Sequence, residues 1–297
     1  MSYFILKLLK IFLELNFINS IFSLKLDEEY DVREHYKCES FKDVRDQMGC
    51  AGCWAFSVAE VISDRICIDS GGKDQTIVSE TELLTCMSFY KDTIYKGCKR
   101  ARRSDGFKYW VSKGLPTKSC KPFPFKKKEK IKDNLQKLQC ENLCHDKSKI
   151  LRNRGTFYKQ IYGEKSMMEE IQTNGPITAG FKYYTDFGEF WANGRQGIYE
   201  HKYGNEDGSH AIKIIGWGNE KVNGKNTKYW LCVNSWGKQY DNDDGTFKFL
   251  RGDNHCGIEA SVVTGYKTSK ILSSNNEPLI ALENHFFSFK NLSKDFK

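Results

Sequence analysis

Gln47-Met48-Gly49-Cys50-Ala51-Gly52-Cys53-Trp54-Ala55-Phe56 is the stretch on which the fold turns. Downstream of it, Ala55, Val58, Ala59, Ile62 and Ile66 recur at helical spacing, which predicts a helix over 54–66 with one buried face. Cys53 opens that helix. A thiolate there faces backbone N–H groups without partners and the positive end of the helix dipole, and both lower a cysteine pKa. The glycines just before it allow close backbone approach. The alternative is that Cys53 is one more disulfide partner. The chain has 11 cysteines, so at least one stays outside any intramolecular disulfide, which weakens that alternative without excluding it.

A nucleophilic cysteine needs a base, and the base needs an orienting group. His210 precedes the apolar run Ala211 to Trp217, and Asn234 follows the run Tyr229 to Val233. The Asn234 amide is placed to hold one imidazole nitrogen while the other faces the thiol, with Trp236 shielding that bond from water. Taken alone, His210 reads more readily as a surface or structural histidine.

The rest of the chain sets the frame. Its 297 residues, 39% hydrophobic with 14% aromatic and 28% charged, suit a globular protein with a substantial core rather than a collagenous or disordered one. The net charge of +8 is concentrated in 99–103 and 126–132. Neither run interleaves with the aromatics of a stacking groove, so the expectation is solvated loops and no nucleic-acid partner. So many cysteines suit an oxidising compartment. Residues 1–24 carry apolar runs broken by Lys7, Lys10 and Glu14, too interrupted to span a membrane. A weak signal peptide ending near Ser23 is expected; an amphipathic helix packed on the domain, or the remnant of a longer segment, are the alternatives. The ordered domain is expected over 25–267, followed by a loosely attached tail over 268–297. Further short helices are expected at 80–84, 107–111 and 165–172. Strands follow at 177–183, 211–217, 229–233 and 246–250, punctuated by turns such as Asn223–Gly224 and Asp244–Gly245. A helical first half and a sheet-rich second half predict two lobes with a cleft between them.

These segments resemble the papain-like cysteine proteases, and among them the cathepsin B group. Gln47 to Phe56 matches the active-site segment; Ser209-His210-Ala211 and Asn234-Ser235-Trp236-Gly237 match the His and Asn motifs. Val32-Arg33-Glu34, Arg45-Asp46-Gln47, Ser63 to Ile68 and Arg251 to Glu259 match further. The resemblance covers about 25–267. It implies an α+β papain-like fold with a helical N-terminal lobe and an antiparallel, β-barrel-like C-terminal lobe. It implies a cysteine endopeptidase with Cys53 as nucleophile, His210 as base and then acid, and Asn234 as its orienter. The Gln47 amide and the Cys53 backbone N–H would form the oxyanion hole. It also implies disulfides Cys38–Cys67, Cys50–Cys98, Cys86–Cys140 and Cys120–Cys144, leaving Cys53, Cys232 and Cys256 free. Peptide or protein substrates and cystatin-like inhibitors are the implied partners. No cofactor or metal is expected; zinc on Cys120, Cys140, Cys144 and His145 fits the spacings poorly. A lysosome-like or vacuolar compartment, or secretion, is the implied location.

Several positions depart from the family pattern. Lys121 to Gln139 lacks the paired histidines that give cathepsin B its dipeptidyl carboxypeptidase activity, so little such activity is expected. A long pro-segment is not recognisable before the mature-like start. Tyr240–Asp241 replaces the second Trp-Gly of the C-terminal motif. Where the family has Gly-Gly-Tyr-Pro, this chain reads Arg100-Ala101-Arg102-Arg103. That substitution puts long side chains in the substrate-binding wall formed with Gly180, Ala211, Trp236 and Glu259. An ion pair between Arg103 and Glu259 is expected, disfavouring arginine at P2, the second residue before the scissile bond, relative to apolar residues; the alternative is that Arg103 points to solvent and leaves the pocket cathepsin B-like.

Overall fold

The computed structural model describes residues 24–87, 97–125, 137 and 139–267. The expectations for 1–23 and 268–297, and most of the lysine-rich stretch after Phe125, lie outside the described residues.

The predicted first long helix runs Cys53–Asp69. In chain order the helices are α1 (Val32–His35), α2 (Cys53–Asp69), α3 (Glu80–Cys86), α4 (Arg103–Lys113), α5 (Glu164–Asn174) and α6 (Thr185–Ala192). The strands are β1 (Tyr30–Asp31), β2 (Phe157–Ile161), β3 (Ile177–Tyr184), β4 (Ile198–Tyr199), β5 (Glu206–Val222), β6 (Lys225–Val233), β7 (Thr246–Leu250) and β8 (Val262–Tyr266).

Helix α2 is buried from Trp54 to Ile68, on every face rather than one. It lies between the two halves, packing on α3 and α4 on one side and on β5, β8 and β3 on the other. Three of its polar residues reach partners in the C-terminal half. Asp64 meets Lys213 Nζ at 2.8 Å, Arg65 meets Glu170 at 2.9 Å, and Ser57 meets Thr178 Oγ1 at 3.2 Å. Buried charges are tolerable only when paired in this way. The periodic apolar stripe found only the face toward the N-terminal lobe.

The sheet runs β2-β8-β3-β5-β6-β7-β4, with β1 also pairing β5. Pairing is antiparallel except between β4 and β7. Its end strands β2 and β4 are not paired with each other, so the expected barrel-like lobe is an open sheet among the described residues. Strand β5 extends well beyond the apolar 211–217 run into exposed, mostly polar ends that carry no apolar signal. It turns into β6 through Asn223 and Gly224, at φ 50° and 79°. Both residues at positive φ suit the tight turn that matches strand twist. Two apolar clusters form. One gathers α2, α3 and α4 side chains such as Phe56, Ile62, Leu83 and Trp110. The other gathers sheet residues such as Phe187, Trp217, Trp230 and Phe249.

Disulfides join Cys38–Cys67, Cys50–Cys98, Cys86–Cys140 and Cys120–Cys144, the pairs implied by the resemblance. They consume the three cysteines of the zinc alternative. Cys53, Cys232 and Cys256 are free.

Candidate active site

The start of α2 is capped by Gly52, with no side chain bonding the first N–H groups. A Cβ at position 52 would lie 2.8 Å from Leu84 Cδ2 and 3.2 Å from Cys50 Sγ, so any larger residue here would have to push Leu84 aside. Cys53 is therefore held at an open helix end, partly exposed. Burial pushes its thiol pKa up. The hydrogen bond and charge of His210, with backbone hydrogen bonds from Ala211 and Trp54, outweigh that, and the net shift is downward. The other free cysteines behave oppositely: burial raises Cys232 well above its ordinary value and pushes Cys256 up to about 11.

His210 reaches Cys53 from β5, across the joint between the lobes. Its Nε2 lies 2.8 Å from Asn234 Oδ1, which leaves Nδ1 for the thiol. The ring is fixed by aromatic neighbours: Trp236 lies 4.9 Å away, and Phe181 stands edge-on at 5.7 Å. Asn234 is fully buried, and its Oδ1 also accepts the Ser235 backbone N–H at 2.8 Å. Ser235 then donates through Oγ to Gln47 Oε1 at 2.7 Å, and its carbonyl accepts the Gln47 N–H at 2.7 Å. Gln47 Nε2 donates to the Cys50 carbonyl at 2.7 Å. A primary amide carries two N–H donors, so one remains beyond the bond to Cys50. Ser235 thus couples the Asn234 amide to the Gln47 amide. It lies inside the Asn-Ser-Trp-Gly motif, but nothing in the sequence marks it as a coupler.

The arrangement can generate a thiolate, hold an imidazole in one orientation, and offer N–H groups to a developing oxyanion. No step of that chemistry calls for a metal, and among the described residues no cluster of His, Cys, Asp or Glu is built to hold one.

The segment expected to form the substrate wall departs from expectation. Arg103 does not pair with Glu259. Its Nη2 donates to Ser261 O at 2.7 Å and Ser261 Oγ at 2.9 Å. Glu259 is buried and already committed: it accepts from Trp230 Nε1 at 3.0 Å, Gly252 N at 2.8 Å and Asn254 N at 3.2 Å. Three fixed donors hold that carboxylate, so a mobile guanidinium gains little by reaching for it. Arg103 instead lies against Gly180, which pairs with Ala211 in the β3–β5 register. Arg100 crosses to the same lobe further along. A Cβ at Gly208 would meet its Nη2 at 2.4 Å. Ala101 packs between them on the N-terminal cluster, and Trp54 Nε1 donates to the Lys99 carbonyl at 2.9 Å, tying the wall to α2. Ser261 and Gly208 carry no signal in the sequence; only the fold brings them under the two arginines.

Comparisons with known proteins agree with this geometry. A family model described as papain family cysteine protease matches residues 26–266. A gut-specific cysteine proteinase of Caenorhabditis elegans is 36% identical over 249 residues, covering 80% of this chain and 72% of that protein. A cathepsin B-like cysteine proteinase of Schistosoma japonicum is 34% identical over 265 residues, 82% of this chain and 74% of that one. Among solved structures, procathepsin B S9 from Trypanosoma congolense superposes with a TM-score of 0.68 at 31% identity, covering 82% of this chain and 78% of that chain. With its two-lobed α+β fold, the chain belongs to the papain family of cysteine proteases and is cathepsin B-like.

Proposed function

We propose that the chain, a cysteine peptidase by family, is an endopeptidase in which Cys53 is the nucleophile and His210 the proton carrier. The Cys53 thiolate attacks the scissile carbonyl carbon. The oxyanion that forms accepts from the free Gln47 Nε2–H and the Cys53 N–H. His210, held by Asn234, protonates the departing amine, leaving a thioester on Cys53. His210 then takes a proton from water, which attacks the thioester and releases the acid. The observation that carries this reading is the 2.8 Å bond that His210 Nε2–H donates to Asn234 Oδ1, which turns the other ring nitrogen toward a thiol of lowered pKa. A thiol alkylator tests it. Stoichiometric labelling confined to Cys53, faster than an ordinary thiol, is expected; labelling at the ordinary rate would reject it.

Internal cleavage is the proposed mode, because Lys121 to Gln139 holds no histidine to bind a C-terminal carboxylate. At its described start, Lys121 Nζ is taken by Glu82 at 2.6 Å and the Glu141 carbonyl at 2.5 Å, so it is not a free cation. Product ladders from a free-acid peptide and its C-terminal amide test this. Stepwise dipeptide loss confined to the free acid would refute it.

A second reading, a binding or decoy homologue of impaired activity, draws on Arg100 and Arg103 lying in the cleft. Sluggish Cys53 labelling would favour it. On either reading residues 25–267 act as the functional domain, and cystatin-like proteins are proposed as inhibitors. A lysosome-like compartment or secretion suits the four disulfides.

A further inference from the structure

The cleft contains a positive charge that no described residue balances. Arg103 is the first residue of α4, and its side chain leaves the N-terminal lobe to lie flat on β3. A Cβ at Gly180 would meet its Nη1 at 2.1 Å, its central carbon at 2.7 Å and its Nη2 at 2.8 Å, so any other residue at 180 would expel it. Its acceptors at Ser261 are neutral. Its Nε is buried with no partner. Glu259, the carboxylate expected to meet it, is held by Trp230, Gly252 and Asn254. Burial pushes the guanidinium pKa down to about 10, with the Cys53 thiol the only charge opposing that shift. A half-buried cation with spare donors is costly until an anion arrives. Its place beside the active centre is set by Gly180, on which the guanidinium rests. Gly180 lies opposite Ala211, one residue from His210.

We propose that Arg103 selects peptides carrying Asp or Glu at P2, whose side-chain carboxylate pairs with its guanidinium. This rests on the reading of Cys53 as nucleophile and of Gly180 and Ala211 as walls of the P2 pocket. The charge-assisted bond supplies the missing anion. A P2 arginine meets a like charge, and a bulky aromatic must first displace Arg103 from Gly180. The pocket is thus read by a residue of the opposite lobe rather than by Glu259.

Blocked fluorogenic peptides differing only at P2 (Glu, Gln, Asp, Phe, Arg) test this on the wild type, Arg103→Met and Arg103→Lys. Alkylation of Cys53 by an uncharged reagent reports on the fold of each variant. In the wild type, kcat/KM for P2 Glu should exceed that for its isostere P2 Gln by roughly tenfold or more. The ratio should fall to near one in Arg103→Met and return in part in Arg103→Lys. Equal rates for P2 Glu and P2 Gln in the wild type, or an unchanged ratio in Arg103→Met, would overturn the proposal alone. If Arg103→Met does not fold, the wild-type and Arg103→Lys ratios decide. No cleavage of any peptide together with an unreactive Cys53 would overturn the nucleophile reading, and this proposal with it.

Discussion

The two ends of one cleft have been treated differently. Around Cys53, His210, Asn234 and Gln47, the His210 ring, the Asn234 oxygen and the Gln47 amide are held by direct hydrogen bonds. In the 100–103 segment, Arg103 and Arg100 reach across to Gly180 and Gly208. The chemistry of acyl transfer tolerates little variation, because thiolate, imidazole and N–H donors must meet in one geometry. A binding wall only has to be complementary to something, so it is free to change what that something is.

The largest effect that would break this contrast belongs to the conserved-looking end. Cys53→Ala should lower peptide turnover by roughly 10^4-fold or more while circular dichroism stays unchanged. His210→Ala should be nearly as severe, and Asn234→Ala milder, since it removes orientation and not the proton carrier. Retained turnover in Cys53→Ala would move the chemistry elsewhere. Because the Cys53 pKa is lowered chiefly against burial by His210, alkylation should persist below the pH at which an ordinary thiol stops reacting. In His210→Ala that pH limit should move upward.

Gln47→Ala comes next. Loss of one oxyanion donor should cost about 2.7–4 kcal/mol of transition-state stabilisation, read mainly in kcat. Because Gln47 also accepts from Ser235, thermal unfolding of the same variant separates a lost donor from a loosened lobe joint.

The third effect concerns the helix beneath both regions. Burial pushes the Glu60 carboxyl up to about 7, with Lys213 and Arg45 opposing the shift. Below its ordinary value of 4.5 the carboxyl is protonated in folded and unfolded chains alike. Between there and about 7, the unfolded carboxyl ionises while the folded one keeps its proton, so stability falls as pH rises. The wild type should lose about 3 kcal/mol more than Glu60→Gln between pH ~5 and pH ~8 in urea unfolding, as an upper figure. Parallel pH profiles would show that Glu60 ionises in the fold.

The smallest effect sharpens the wall. Arg100→Gly removes a side chain that a peptide backbone must displace from Gly208. KM should fall by about fivefold for all P2 residues alike, with kcat little changed. A change that depended on P2 charge would assign selectivity to Arg100 rather than Arg103.

Local chemistry made part of this molecule readable from the chain alone. A cysteine at a helix start, a histidine before one apolar run and an asparagine after another carry their meaning in short windows, because helix dipoles, strand alternation and turn glycines are local effects. The strand 246–250 and the turn at Asn223–Gly224 were legible for the same reason. Tertiary structure decided the rest. The full burial of α2 depends on a sheet assembled from residues more than a hundred positions away, which is why its polar face showed no apolar period. The destination of Arg103 was likewise a competition between distant acceptors. Glu259 offered the stronger charge, but three donors had already fixed it, while Gly180 left the space and Ser261 the oxygens. Charge in a sequence names the candidates for a pair, but burial and prior commitment, which exist only in three dimensions, choose among them.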